Sequence, residues 1–108
     1  MRRLAWLVER PIAHRGLHDA GCVIVENTPG AFAAAMGRGY SIECDVQLSA
    51  EGEAMVFHDA DLERLTAATG RVIARTAADL KNVVYRASGD RMPTLPELLD
   101  QVNARVPL

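Results

Sequence analysis

Two acidic residues, Glu43 and Asp45, lie two positions apart in a segment where apolar and polar residues alternate. Residues two apart on a β-strand point to the same side, about 6.6 Å apart, so both carboxylates can reach one cation. If that strand lies inside a sheet, two like charges must either raise a pKa or be neutralised by a cation. Oxygen ligands favour Mg²⁺ or Ca²⁺ over Zn²⁺. An exposed edge strand with a solvated polar face would give the same pattern, so the spacing alone leaves both interpretations open.

Two of the three histidines terminate apolar runs and have an ionisable neighbour: Arg15 follows His14, and Asp59 follows His58. A pair of imidazoles can remove a proton from a nucleophile and return one to a leaving group near neutral pH. His18 lies in a loop without an adjacent apolar run, which favours a structural role. The sequence therefore predicts His14 and His58 as candidate acid–base residues, with a structural role as the alternative for each.

Three further polar residues could face the same site. Arg15 precedes Gly16, and a guanidinium can hold a phosphate through two hydrogen bonds where a glycine lets the backbone come close. Glu26 and Asn27 stand just before a predicted helix, where a cap would need only Thr28. The alternatives are a surface charge for the arginine and ordinary turn chemistry for the other two.

Three short apolar runs, each ending at a polar or charged residue, predict β-strands at residues 11–16, 41–48 and 54–59. Residues 50–53 are predicted to form the turn between the last two strands. Strict alternation in the middle run predicts one face of Ile42, Cys44, Val46 and Leu48 and another of Glu43, Asp45 and Gln47.

Capping signals predict the first helix. Thr28 is a suitable N-cap, Pro29 suits the first helical position, and Gly39 is placed as a stop, which together predict a helix over residues 29–38.

A second helix is predicted at residues 95–105, where Thr94 and Glu97 have capping-box spacing and Pro107 is the expected terminator. Residues 60–91 lack a clear period and are predicted to form an irregular insertion.

The order strand, helix, strand, strand, insertion, helix is typical of the opening of an α/β architecture with parallel strands covered by helices. Ligands in such sheets bind at the carboxyl ends of the strands. His14, Glu43, Asp45 and His58 all fall at or near those ends, which predicts that they share one site.

Composition narrows the class of protein. The 108 residues are 49% hydrophobic and 24% charged, with a net charge of −2, which is typical of one globular unit and argues against a nucleic-acid partner. The early apolar run Leu4–Val8 is too short to span a membrane or to act as a signal core, so a cytoplasmic location is expected. Cys22 and Cys44 lack metal-site spacing and are expected to be reduced and partly buried.

Taken in order, six short motifs resemble the glycerophosphodiester phosphodiesterase family over about residues 11–99. They are HRG at 14–16, ENT at 26–28, IECD at 42–45, HD at 58–59, LERLT at 62–66 and PTLPE at 93–97. Each motif is weak alone, but six in this order and spacing are highly specific. Val25 departs from the proline that many relatives have before ENT.

The resemblance implies the fold: residues 1–108 would be the N-terminal part of a (β/α)₈ TIM-type barrel, truncated after about three strands, with an insertion at about 60–93. A closed barrel needs about eight strands. Open sheet edges would then favour association with further chain or with copies of itself, so a homo-oligomer is possible.

The resemblance also implies the chemistry, which is metal-dependent hydrolysis of glycerophosphodiesters to glycerol 3-phosphate and an alcohol. His14 and His58 would be the acid–base pair, and Glu43 and Asp45 two protein ligands of Mg²⁺ or Ca²⁺. The third acidic ligand would lie beyond Leu108. Arg15 and Glu26 would belong to the phosphate and substrate pocket. A phospholipase D or lysophospholipase D of the same fold, or an inactive binding relative, remains an alternative.

Overall fold

The computed structural model describes residues 2–108. Its regular elements, in chain order, are β1 (Ile12–His14), α1 (Pro29–Gly37), β2 (Ser41–Glu43), β3 (Val46–Leu48), β4 (Ala54–Val56), α2 (Ala77–Lys81) and α3 (Leu95–Val102). Short 3₁₀ helices cover Arg2–Leu7, Ala20–Cys22 and Val72–Ala74. In the described part of the chain, no helix is long and apolar enough to cross a membrane.

Strands β1 and β2 form a two-stranded parallel sheet in which Ala13 pairs with Ile42 and His14 with Glu43. The predicted strand at 11–16 is confirmed in position but ends earlier. Arg15 and Gly16 have φ of 60° and 76°, so the chain leaves the strand in a left-handed turn. This turn directly follows His14.

Helix α1 confirms its capping signals. The Thr28 hydroxyl accepts a hydrogen bond from the Ala31 N–H at 3.4 Å, and Pro29 occupies the first turn. The helix ends at Gly37, and Gly39 follows with φ of 69°. Phe32 is fully buried, so the helix packs against the sheet and fixes the residues that precede it.

The single strand predicted at 41–48 is wrong: the chain forms two strands with different partners. β2 pairs with β1 in parallel, whereas β3 pairs with β4 in antiparallel. The change falls at Asp45, whose N–H is bonded to Asn27 and whose carbonyl accepts from the Phe57 N–H. The expected common face is lost too, because Val46 and Leu48 are 49% and 53% exposed while Ile42 is buried.

The third predicted strand, at 54–59, is shorter than expected and covers Ala54–Val56. Its turn at 50–53 is confirmed, with Gly52 at φ of 90°. The antiparallel pairing of β3 and β4 corrects the expectation that all strands run parallel. The connection between β3 and β4 is only a few residues long, so β4 can pair with β3 only in the antiparallel direction. A parallel pair needs a crossover of a dozen residues or more.

Two apolar clusters lie on opposite sides of β4. Val56 packs with Ala13, Phe32 and residues of α3, while Met55 and Phe57 pack into the cluster formed by the insertion. This alternation is that of a strand buried on both faces. His58 therefore follows directly after the buried Phe57, two residues beyond the end of β4.

The insertion is largely irregular, as predicted. Its regular elements are the five-residue α2 and the 3₁₀ helix Val72–Ala74, and isolated bridges such as Thr66 with Tyr85 connect other parts of it. Buried side chains including Leu62, Leu80 and Tyr85 give it a core of its own.

Helix α3 confirms the capping box: Thr94 and Glu97 exchange hydrogen bonds between side chain and backbone. It ends at Val102, three residues before the predicted end at 105, because Asn103 and Ala104 adopt left-handed conformations with φ of 47° and 60°. The prediction that both cysteines are partly buried is wrong for Cys22, which is exposed, and confirmed for Cys44, which is half-buried.

Gly16 is required by the turn after β1, which predicts a large stability effect. Besides its positive φ, a Cβ there would lie 2.7 Å from Ala31 Cβ and 2.9 Å from the Ala31 carbonyl carbon. Gly16→Ala should therefore lower the free energy of unfolding by about 2–4 kcal/mol. Denaturant titration of the full-length protein measures this.

The matched control is Gly37→Ala, where an added Cβ meets nothing within 4 Å and the residue is helical. It should be neutral or stabilising by up to about 1 kcal/mol. Equal unfolding midpoints for the two variants would contradict the packing of this turn against α1.

Candidate active site

The site begins at the carboxyl ends of the parallel pair. His14 and Glu43 are register partners on adjacent strands, and neighbouring strands lie about 4.8 Å apart. Both residues end their strands, and the His14 side chain is exposed. A histidine and a carboxylate thus lie side by side at one end of the sheet.

Arg15 joins three of the predicted acidic residues. Its backbone N–H donates to Glu43 Oε1 at 3.0 Å, and its Nη1 donates to Glu26 Oε2 at 3.0 Å. Its Nε lies 3.7 Å from Asp45 Oδ2. The left-handed turn that Gly16 permits is what aims both the amide and the guanidinium of Arg15 into the site.

Asn27 holds Asp45 in place from the loop before α1. The Asn27 side-chain Nδ2 donates to Asp45 Oδ2 at 3.1 Å, and the Asn27 side-chain Oδ1 accepts from the Asp45 backbone N–H at 3.3 Å. Asn27 is buried and has φ of 54°, and its own N–H donates to the Arg15 carbonyl at 2.8 Å. The residue therefore connects the loop after β1 with the break after β2, a positioning role that sequence reasoning left open.

A chain of charged side chains connects His58 with Glu26. His58 Nδ1 lies 2.8 Å from Asp59 Oδ1. The Arg64 Nε donates to Asp59 Oδ2 at 2.7 Å, and the same guanidinium donates to both oxygens of Glu26 at 2.9 and 2.8 Å. The six predicted site residues are thus assembled on one side of the fold, by contact or by register.

These contacts shift two carboxyl pKa values downward. Hydrogen bonding by Arg64 lowers the pKa of Asp59 to about 2, against a smaller effect of burial and with a further contribution from His58. Burial would raise the pKa of Glu26, but the hydrogen bonds and charges of Arg64 and Arg15 together outweigh it and lower that pKa. Both carboxyls are therefore ionised at neutral pH.

Arg64 is the site residue to which sequence reasoning assigned no role. The motif LERLT contains it, but the resemblance implies no role for any of residues 62–66. Its position five residues after Asp59 and 38 residues after Glu26 gave no periodic signal. Only the folding of the insertion over β4 brings the three side chains together.

Glu43 and Asp45 fit a hard divalent cation in their donor chemistry. Within residues 2–108, the side chain of each forms hydrogen bonds through one oxygen only, which leaves the second oxygen for a cation. Cys44, between them, has its pKa raised by burial and then by both neighbouring charges. Residues 2–108 contain no group of three or more histidine, cysteine or acidic side chains placed to hold a metal.

The ion pairing of Asp59 predicts how the fold responds to acid. Its pKa is lower in the fold than the ordinary 3.8, so its stabilising contribution is complete above about pH 4 and is lost as the pH falls towards 2. Urea titrations of the full-length protein between pH 5 and pH 3 should show a smaller loss of unfolding free energy for Asp59→Asn than for wild type. Arg64→Met should reduce the loss as well. Identical pH dependence in all three proteins would contradict the pairing.

Comparison with known proteins places this arrangement in a class. Residues 14–107 match the glycerophosphoryl diester phosphodiesterase family. A structure of a glycerophosphodiester phosphodiesterase from Agrobacterium tumefaciens superposes with a TM-score of 0.79 at 31% identity, covering 90% of this chain and 44% of that one. The fold is thus the N-terminal part of a (β/α)₈ barrel.

The chain belongs to the glycerophosphoryl diester phosphodiesterase family. It is 38% identical over 98 residues to a glycerophosphodiester phosphodiesterase of Caldanaerobacter subterraneus, covering 84% of this chain and 39% of that protein. A phosphodiesterase of Oleispira antarctica, solved with its product sn-glycerol-3-phosphate, has a TM-score of 0.78 at 28% identity over 92% of this chain and 42% of its own. The chain therefore spans about two-fifths of the length of these relatives.

Proposed function

We propose that the full-length protein hydrolyses glycerophosphodiesters to glycerol 3-phosphate and an alcohol in a reaction that depends on Mg²⁺ or Ca²⁺. The observation that carries the proposal is Arg15, which contacts Glu43 and Glu26 and lies beside Asp45. A cationic donor between two potential metal ligands and a buried carboxylate is an arrangement suited to a phosphodiester.

Glu43 and Asp45 would hold the cation, which when bound supplies charge stabilisation at a phosphoryl oxygen. Arg15 would bind the phosphate beside it. Its Nε is buried and has no hydrogen-bond partner within residues 2–108. A phosphate oxygen would satisfy this donor, and the Glu26 carboxylate at Nη1 keeps the guanidinium plane fixed.

His58 is oriented for proton transfer. Its Nδ1 lies at hydrogen-bond distance from the ionised Asp59, which favours the tautomer with the proton on Nδ1 and leaves Nε2 as the reactive nitrogen. Arg64 fixes Asp59 in turn. His14 stands beside Glu43 at the end of the neighbouring strand and would supply the second group of the acid–base pair.

The experiment that tests the function is a phosphodiesterase assay on the full-length protein with glycerophosphocholine. Release of glycerol 3-phosphate should be abolished by a chelator and restored by Mg²⁺ or Ca²⁺. The control is the same assay without the chelator, at the same ionic strength. Turnover that persists after complete chelation would contradict the metal dependence, and failure to release glycerol 3-phosphate would contradict the reaction.

A further inference from the structure

Gln47 is a polar residue of the alternating segment 41–48 that has no part in the proposed function. It lies on β3, and its side chain is half-buried. Its Nε2 donates to the Phe57 carbonyl at 2.9 Å and to the Asp59 carbonyl at 2.5 Å. These two carbonyls lie on either side of His58, so one side chain holds the backbone before and after a predicted acid–base residue.

The Gln47 side chain takes the place of a hydrogen bond that the sheet lacks. Asp45 and Phe57 form the next opposed pair beyond β3 and β4, and the Phe57 N–H donates to the Asp45 carbonyl at 3.0 Å. A hydrogen-bonded pair in an antiparallel ladder normally exchanges two such bonds. Here the Asp45 N–H donates to Asn27 instead, at 3.3 Å. The Phe57 carbonyl therefore receives its hydrogen bond from Gln47.

The chemistry of the two partners fixes the orientation of the Gln47 amide. A carbonyl oxygen can only accept, so the amide nitrogen must face both carbonyls, and its two N–H groups match them in number. Phe57 is 1% exposed. A buried carbonyl that loses its donor is costly, so without this amide the segment would shift to find another partner.

The His58 ring depends on this segment because packing does not fix it. The side chain is 42% exposed, and its Nδ1 lies 2.8 Å from Asp59 Oδ1. Asp59 is held twice, through its carboxylate by Arg64 and through its carbonyl by Gln47. A shift of the backbone at residues 57–59 would change the contact at Nδ1 and move Nε2.

We infer that Gln47 is a positioning residue for His58. It acts through the backbone of residues 57–59 and connects β3, two residues after the proposed cation ligand Asp45, with the acid–base group. The inference rests on the proposed function, in which Nε2 of His58 is the reactive nitrogen. The place of that nitrogen is then set from two sides, by β3 through Gln47 and by the insertion through Arg64.

The kinetic test is Gln47→Met, which nearly keeps the length of the side chain but removes the N–H groups. The full-length protein is assayed with glycerophosphocholine at saturating divalent cation. kcat should fall by about 10–100-fold, because a misplacement of about 1 Å at a reacting group can cost about 10²-fold. KM and the affinity for the cation should stay as in wild type. In the His58→Ala background the same change should have no further effect on kcat, because effects that act through one residue do not add.

Gln101→Met is the matched control. Gln101 is half-buried on α3, and its Nε2 also donates to a backbone carbonyl, that of Pro29, at 2.9 Å. This variant loses the same kind of hydrogen bond away from His58 and should keep the kcat and KM of wild type. If Gln47→Met does not fold, Gln47→Asn is the second variant. It keeps the amide on a shorter side chain and should lower kcat alone, by a smaller factor.

Nitrogen chemical shifts of the His58 ring, measured by NMR, test the inference without turnover. They report which ring nitrogen carries the proton. In wild type the contact with Asp59 should keep the proton on Nδ1. Gln47→Met should move part of the population to the Nε2 tautomer, whereas Gln101→Met should leave the shifts unchanged.

Either an unchanged kcat or unchanged ring shifts in Gln47→Met would overturn the inference. Equal losses of kcat in Gln47→Met and Gln101→Met, or a loss that persists in the His58→Ala background, would overturn it as well. If wild type does not hydrolyse glycerophosphocholine, the proposed function fails. The ring shifts alone then decide whether Gln47 positions His58.

Discussion

Replacing either His14 or His58 by alanine is expected to lower the turnover of glycerophosphocholine by about 10²–10⁴-fold in the full-length protein, because each change removes a group proposed to transfer a proton. Both side chains are exposed, so the substitutions should leave the unfolding midpoint close to that of wild type. Steady-state kinetics and thermal unfolding of the same preparations measure the two quantities.

Chemical rescue separates proton transfer from a structural role. Added imidazole should restore part of the turnover of the alanine variants, whereas it should not help a variant that has lost the shape of the site. For His58, Asp59→Asn should reduce turnover less than His58→Ala, since it disturbs only the orientation of the ring. Near wild-type rates for either alanine variant would show that the histidine concerned is structural.

The double variant Glu43→Gln, Asp45→Asn is expected to abolish both divalent-cation binding and turnover. Amides keep the size of the side chains and can still accept a hydrogen bond from Arg15 or Asn27, but they lose the two charges that attract a cation. Isothermal titration calorimetry with Mg²⁺ and with Ca²⁺ measures the binding directly. Unchanged binding would refute the assignment of these residues as ligands.

A second double variant, at two surface residues, controls for the change in net charge. Glu9→Gln, Asp100→Asn also removes two negative charges, from exposed residues away from the strand ends. This variant should bind the cation and turn over substrate as wild type does. Loss of binding in both double variants would point to the net charge of the protein rather than to a site at Glu43 and Asp45.

The starts of both helices could be predicted from the amino-acid sequence, because local interactions control them. Thr28 and Pro29 set the start of α1, and Thr94 with Glu97 set that of α3, because caps act through hydrogen bonds within one turn. The ends of the apolar runs located His14 and His58. The order of the six motifs gave the family, which the comparison confirms.

The pairing of the strands, by contrast, depends on contacts between segments that are far apart in the sequence. Alternation between residues 41 and 48 fits one strand or two, because period-two patterns carry no information about the partner. The break at Asp45 arises from bonds to Asn27 and Phe57, which are distant in sequence. The end of α3 at Val102 has a local cause instead, since Asn103 forms a left-handed cap whose N–H donates to the Leu99 carbonyl.

The tertiary structure also decided the connections within the site. Arg64 reaches Glu26 and Asp59 only because the insertion folds over β4, and no spacing along the chain encodes that approach. Residue types and local spacing can be read along a chain, whereas contacts between distant segments depend on how the core packs.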